Sequence, residues 1–407
     1  MFWDHQSDSR TPPPRNTALR GGIMVSVVIV ALMVTALGSF IAGYFLGSPT
    51  QTSGGSSLIA EAWTIIERAF YKPLPNGETR ARAAIHGMIG TLNDKYTMLL
   101  EPVAAETEVR VMQGALGGIG VRIAPTAEGE IEIVEALLGW YAAQAGIRAG
   151  DVIIAVNGTP VKGMETNAAA DMIRGELGTT VTLTIRRKEA AAPFEVIVTR
   201  GQINVYGTIL EGTDIAYIGF DIFNQTAPAD IRRELERLLP LNPRALIFDM
   251  RDNPGGWLDG AIDIADLFLP EGLVATEKVV SGEVKRFTSK SGEIAESIAL
   301  IVLVNGNSAS AAEVVAGALK DRGRAMLIGG RTFGKGSVQT IYRLSDGSQL
   351  RVTSGAWYTP NETPLEASEG NAGGLMPDLA VSVPDGAKED VILKHAIAYI
   401  YATVGAF

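Results

Sequence analysis

No charged residue occurs between Arg20 and Glu61, and residues 23–46 are almost wholly apolar. About twenty such residues suffice to cross a bilayer as a helix, the one single-segment conformation that pairs its own backbone groups in hydrocarbon. The preceding tail, 1–22, carries Arg10, Arg15 and Arg20 against Asp4 and Asp8, and the first turns beyond the apolar run hold no basic residue. That asymmetry places the tail in the cytoplasm and everything after Gly47 outside it, in the periplasm or at the cell surface. A cleaved signal peptide is the alternative, but its apolar region spans only about 7–15 residues and ends in a small-residue cleavage site, which is not evident here.

Beyond the anchor, residues 47–57 have the Gly/Ser/Thr composition of a flexible tether. Apolar residues at three- and four-residue spacings (Ile59, Trp63, Ile66, Phe70; then Ala84, Met88, Leu92) predict two amphipathic helices in a region 58–104. From Thr107 the pattern turns to short β-rich runs with one helical stretch at 168–177, predicting a small β-rich domain over 105–200. Over 201–395, strands such as ALIFDM and IALIVLVN alternate with helical stretches at 228–239, 258–269 and 311–322. Such alternation predicts an α/β layer of mostly parallel strands, followed by a tail, 396–407.

Which chemistry the chain can support follows from its residue inventory. Forty-five acidic residues against 35 basic ones argue against nucleic acid as a partner, because phosphate neutralisation needs a basic stripe. With no cysteine there is no disulfide, thiolate metal site or cysteine nucleophile. The segment 298–322, IALIVLVNGNSASAAEVVAGALKDR, runs from a buried strand through a tight turn into a small-residue helix. Ser308 or Ser310 is then either an ordinary helix N-cap or a nucleophile exposed where free backbone N–H groups point outward. Histidine occurs only at 5, 86 and 395, and nothing frames any of them as a base. Lysine is the better candidate, provided burial or nearby positive charge lowers its pKa. Lys335, in Thr332-Phe333-Gly334-Lys335-Gly336-Ser337, has flanking glycines that allow close backbone approach. The segment 329–335 also imitates a phosphate loop, but Gly336 stands where a metal-binding Ser/Thr is needed and a strand follows instead of a helix. GxGxxG spacing fails likewise at 114–120.

Taken together, GALGGIGVRI (114–123), AGIRAGDVIIAVNG (145–158), MIRGELGTTVTLTIRR (172–187), FDMRDNPGGWLDGAIDIADLFL (248–269), NGNSASAAEVVAGALKDRGRA (305–325) and RTFGKGSVQTIYRLSDGSQLRVT (331–353) resemble the carboxyl-terminal processing (tail-specific) serine peptidase family. The resemblance implies a multidomain α/β protein: transmembrane helix, helical segment, PDZ domain, and a peptidase core like the caseinolytic protease/crotonase fold. It implies Ser310 as nucleophile, Lys335 as base and Gln339 as the residue orienting the lysine; a strand over 336–344 would put Lys335 and Gln339 on one face. The implied oxyanion donors are the backbone N–H of Ala311 and one from Gly255-Gly256, with Gly256 favoured. The implied carboxylate-binding loop is 116–120 (Leu116, Gly117, Gly118, Ile119, Gly120), and Arg174 of the IRG motif is its link to the active state, or else the partner of a surface carboxylate. Asp249, Asp252 and Asp259 read as solvated or turn-capping carboxylates, and no cofactor or metal is implied.

Two segments depart from the family pattern: Trp140-Tyr141-Ala142-Ala143, where a proline is common, and 361–374. The partners implied are protein substrates with exposed apolar C-termini and the membrane; self-association through helical termini and an activating adaptor protein are further classes the family admits. The competing reading is a catalytically inactive, membrane-tethered PDZ scaffold.

Overall fold

A computed structural model describes residues 54–405, apart from 138–139, 202–203, 368–371, 385–386 and 388. The expected membrane span at 23–46 therefore lies outside the described residues. Among the described residues, no helix is long and apolar enough to cross a membrane. The chain divides into two compact units, one ending at Thr79 and the other starting at Arg80.

In the first unit a helix covers Gly54–Ala69, so its first turn occupies residues assigned to the tether. Ile59, Ile66 and Phe70 are exposed, as the amphipathic spacing places them on one side. A second helix, Gly77–Gly90, runs into the second unit.

There, Pro102–Met112 is helical where a β-rich pattern was expected from Thr107. The reason is local: Pro102 fixes φ at the first turn, and Ala104, Ala105 and Glu106 favour helix. The β-rich domain follows as an antiparallel sheet in the order Val121–Pro125, Ile131–Ala136, Val152–Val156, Thr180–Arg186, Phe194–Thr199. Alternate residues Ile131 and Ile133, then Val181, Leu183 and Ile185, face one core with Ile153 and are fully buried. The helix Thr166–Ile173 closes that core, ending short of the expected 177 because Gly175–Glu176 pairs as strand with Leu116–Gly117. Val121–Pro125 is left at the sheet edge.

The α/β half is built on a six-stranded sheet, ordered Val205–Ile209, Ile215–Phe220, Ala245–Asp249, Leu300–Val304, Met326–Gly329, Leu379–Ala380. All neighbours are parallel except the first pair. Strands covered on both faces read as nearly continuous apolar runs, and Ala245–Asp249 and Leu300–Val304 are buried throughout, with Asp249 the one charged residue among them. Leu246, Phe248, Val302 and Val304 pack under the helices Ala227–Leu238, Leu258–Asp266 and Ala311–Asp321. Ile247, Ile301, Leu303 and Ile328 face the other way, onto Ile392, Ala396 and Ile400 of the helix Val391–Thr403. Each such large side chain contributes about 1.5–3 kcal/mol by leaving water. The core thus continues past 395, where a tail was expected, through Ala396 and Ile400, whose four-residue spacing from Ile392 forms a helical stripe. A second, antiparallel sheet of Met98–Leu100, Gln349–Tyr358, Gly272–Val279 and Val284–Ser289, with Ser337–Arg343 added to Gln349–Tyr358, flanks the first.

Candidate active site

The two serines of the turn after Leu300–Val304 have different surroundings. Ser308 is fully buried, donating to the Met250 carbonyl at 2.8 Å and accepting from the Asn305 N–H at 3.0 Å, so it secures the turn. Ser310 precedes the helix Ala311–Asp321 with φ 55° and ψ −116°. That conformation costs a non-glycine residue of order 1–3 kcal/mol, and Ser310 lines an open cleft at the start of the helix.

The strain is accommodated by the glycines opposite. A Cβ on Gly255 would lie 2.7 Å from the Ala309 carbonyl oxygen and 2.8 Å from the Ser310 Cβ; one on Gly256 would lie 2.2 Å from the Phe223 carbonyl oxygen. Both have positive φ, so glycine alone fits. Their N–H groups are not equivalent. Gly255 donates to Asn253 Oδ1 at 2.9 Å, which removes it from the expected oxyanion donors. The N–H groups of Gly256 and Ala311 have no hydrogen-bond partner among the described residues, and both residues line the cleft beside Ser310.

Glu313, which carried no assigned role, ties this corner to the lysine segment. It is fully buried, and its carboxylate accepts from the Ser310 N–H (2.9 Å), Thr332 Oγ1 (2.6 Å), the Gly334 N–H (2.7 Å) and the Lys335 N–H (2.9 Å). A buried charge with four donors is compensated, and here the donors come from both halves of the site. The Ser-x-x-Glu spacing of a capping box was the sequence signal for it.

Lys335 lines the same cleft as Ser310. Burial, then the Arg351 guanidinium, push its amine below the ordinary lysine range, against the opposing pull of Glu108, Glu366 and Glu313. The amine does not hydrogen-bond Ser310 or any other described residue; it lies 5.2 Å from the centre of the Tyr96 ring. Gln339 also lines the cleft, yet its amide donates to Ser337 Oγ at 2.8 Å and not to the lysine. Lys335 precedes the strand Ser337–Arg343, whose alternation is interrupted by a bulge between Val338 and Gln339, and both side chains still line the cleft.

A second cleft opens at the free edge of Val121–Pro125 and runs from Gly117–Gly120 to Pro254, next to the Gly255–Gly256 turn. Leu116 and Gly117 are the short strand that enters its loop, and Gly118 pairs with Gly201. Gly120 has φ 79°, and a Cβ there would meet Trp140 at 2.4 Å. Trp140 thus supports the loop from below and reaches the α/β half through the Tyr206 ring, 6.4 Å away. Ile119 is buried in the β-domain core. Arg174 lines this cleft but is half-exposed and pairs with Asp171 at 3.0 Å, the surface-carboxylate alternative.

The ionic connection between this cleft and the turn at 252–256 is made instead by Arg122. Its guanidinium lies 3.1 Å from Asp252 and 3.2 Å from Glu135. Asp252, at φ 59°, also accepts from Asn305 (2.9 Å) and Asn307 (2.8 Å) in the serine turn. Asp252 thus holds the serine turn through side-chain donors, Asp259 is exposed, and the turn-capping carboxylate is Asp249, which accepts from the Arg251 N–H at 2.9 Å. Asp249 is not solvated: it is buried, with Arg251 at 2.5 Å and the Tyr217 hydroxyl at 2.8 Å. Among the described residues no three acidic or histidine side chains are grouped to hold a metal.

The chain is similar to known proteins along most of its length. Residues 214–381 match the model of peptidase family S41, and residues 133–187 match a PDZ domain. The carboxy-terminal-processing protease of Bartonella bacilliformis is 35% identical over 325 residues, covering 78% of this chain and 73% of the relative. The carboxy-terminal processing protease CtpA of Bacillus subtilis is 32% identical over 368 residues, covering 89% and 77%. An S41 protease structure from Bacteroides fragilis superposes with a TM-score of 0.55 at 17% identity, over 82% of this chain and 93% of that one, a likeness of fold.

Proposed function

The chain belongs to the carboxy-terminal-processing serine proteases of peptidase family S41, and from that premise we propose that it is a membrane-anchored endopeptidase that grips substrate tails in its PDZ cleft and cleaves them through Ser310 and Lys335. The observation that carries this reading is the shared cleft: a serine with left-handed φ at a helix N-terminus, two unused backbone donors beside it, and a desolvated lysine.

In this mechanism neutral Lys335 takes the Ser310 proton as Oγ attacks the peptide carbonyl. The N–H groups of Ala311 and Gly256 stabilise the tetrahedral oxyanion, and the helix N-terminus adds its dipole. The Lys335 ammonium returns its proton to the leaving amine, and water, deprotonated by the same amine, releases the acyl group. Because the amine lies on Tyr96, catalysis requires it to move toward Ser310. The same displacement is what favours the second reading, an inactive scaffold that only binds tails. The apolar run at 23–46 supports an anchor with the catalytic part outside the cytoplasm.

A fluorophosphonate probe and a peptide with an apolar C-terminus separate the two readings. The endopeptidase labels at Ser310 and cuts the peptide, and Ser310→Ala and Lys335→Ala each abolish cutting without loss of folding. Tail binding without label or cleavage in the intact protein would establish the scaffold.

A further inference from the structure

Among the described residues the Lys335 amine makes no hydrogen bond or ion pair, and its contact is with an aromatic ring. The amine lies 5.2 Å from the Tyr96 ring centre, within the range at which the negative face of a phenol attracts a cation. Tyr96 is half-buried on a short segment fixed at both ends. The Asp94 carboxylate accepts from the Tyr96 N–H (3.1 Å), the Thr97 N–H (3.0 Å) and Thr97 Oγ1 (2.6 Å). Thr97 Oγ1 in turn accepts from the Thr353 N–H at 3.1 Å, and Met98–Leu100 continues as a strand on Gln349–Tyr358. The ring is thus held in place against the strand that carries Arg351.

We propose that Tyr96 is a positioning residue for Lys335: its ring face seats the amine in the charged state and thereby sets where the base waits and at what pH it becomes free to reach Ser310. This rests on the reading of Lys335 as base. The other charges acting on the amine come from every neighbouring element: Arg351 on the strand, Glu108 on the helix Pro102–Met112, Glu366 on the following loop and Glu313 at the helix start. Lys95 lies over the same ring at 4.6 Å and over Phe333 at 5.6 Å, but it is exposed. Glu108 is committed to an ion pair with Arg351, and Glu313 to its four donors. The ring, in contrast, acts on the ammonium and not on the neutral amine. It therefore opposes deprotonation, and removing its face while keeping its bulk must ease proton loss.

The test is the pH profile of kcat/KM for the full-length protein on a fluorogenic peptide with an apolar C-terminus. Loss of activity in Ser310→Ala and Lys335→Ala first establishes the dyad; the Tyr96 variants then test the seat alone. Tyr96→Leu is expected to move the acid limb down by about 0.5–1 pH unit, and Tyr96→Phe to leave it in place. An unmoved or raised limb in Tyr96→Leu, or an equal shift in Tyr96→Phe, overturns the proposal. Should Tyr96→Leu fail to fold by thermal melt, ring-fluorinated phenylalanines at position 96 keep the shape and weaken the face. Their limb must then step down with each fluorine, and a flat series overturns the seat.

Discussion

Replacing Glu313 by glutamine changes one atom's chemistry and leaves the volume almost untouched. In the native site Oε1 accepts from Thr332 Oγ1 and the Gly334 N–H, while Oε2 accepts from the N–H groups of Ser310 and Lys335. A glutamine has one oxygen, so two of these donors would face an NH₂ group that is itself a donor. Hydrogen bonds to a charged acceptor are worth about 1.5–3 kcal/mol each, and losing two amounts to ~3–6 kcal/mol. The neutral amide no longer bears the desolvation of a buried carboxylate, which brings the expected loss toward ~3 kcal/mol. Urea denaturation of native and Glu313→Gln protein measures it directly. Activity should suffer as well, because whichever oxygen is lost releases either the Ser310/Lys335 backbone or the loop that carries the lysine. The fall is expected in kcat, of at least about tenfold, with KM little changed, since the substrate cleft keeps its walls. A Glu313→Gln protein within about 1 kcal/mol of native stability and with native kcat would refute the view that this carboxylate joins the two halves of the site.

The other predictions concern the turn opposite and the domain junction. Gly255→Ala puts a methyl 2.7–2.9 Å from Ala309, Ser310 and Ala311 at a φ of 93°; it should destabilise by ~1–3 kcal/mol and cut kcat more than tenfold, read by thermal melts and peptide cleavage, and an active variant would disprove the tight turn. Burial, together with Glu135, Asp249 and Asp252 against Arg122, raises the Asp221 carboxyl to about 6. The folded protein therefore holds the Asp221 proton more tightly than the unfolded chain, so this residue's contribution to stability falls as pH rises from about 4 to about 6, by up to ~3 kcal/mol. Asp221→Asn should be more stable than native protein at neutral pH and lose that advantage near pH 4 in denaturant titrations; equal stability at both would refute the shift.

What could be read from the sequence was whatever depends on near neighbours. The unbroken apolar run at 300–304 announced a strand buried on both faces, and the Asn-Gly-Asn turn before Ser310 announced a sharp entry to a helix. Between Ser308 and Ser310 the pattern could not decide, because the distinction is made by Met250, a residue far away in sequence. Glu313 sat at a legible capping spacing, but three of its four donors come from residues 332–335 and become neighbours only in the folded chain. Lys335 and Gln339 do line one cleft, but the amide's bond to Ser337 and the bulge beside it are marked by no residue pattern. Trp140, noticed as an anomaly of the groove, proved to be the prop under Gly120, a contact that only the coordinates of both segments disclose.

The helix Val391–Thr403 covers the second face of the parallel sheet and follows every strand of that sheet in the chain. Burial of Ile247, Ile301 and Leu303 on that face therefore depends on residues that come after all six strands in the chain. A chain cut before Val391 keeps its serine and lysine segments but leaves this face of the sheet without the side chains that bury it.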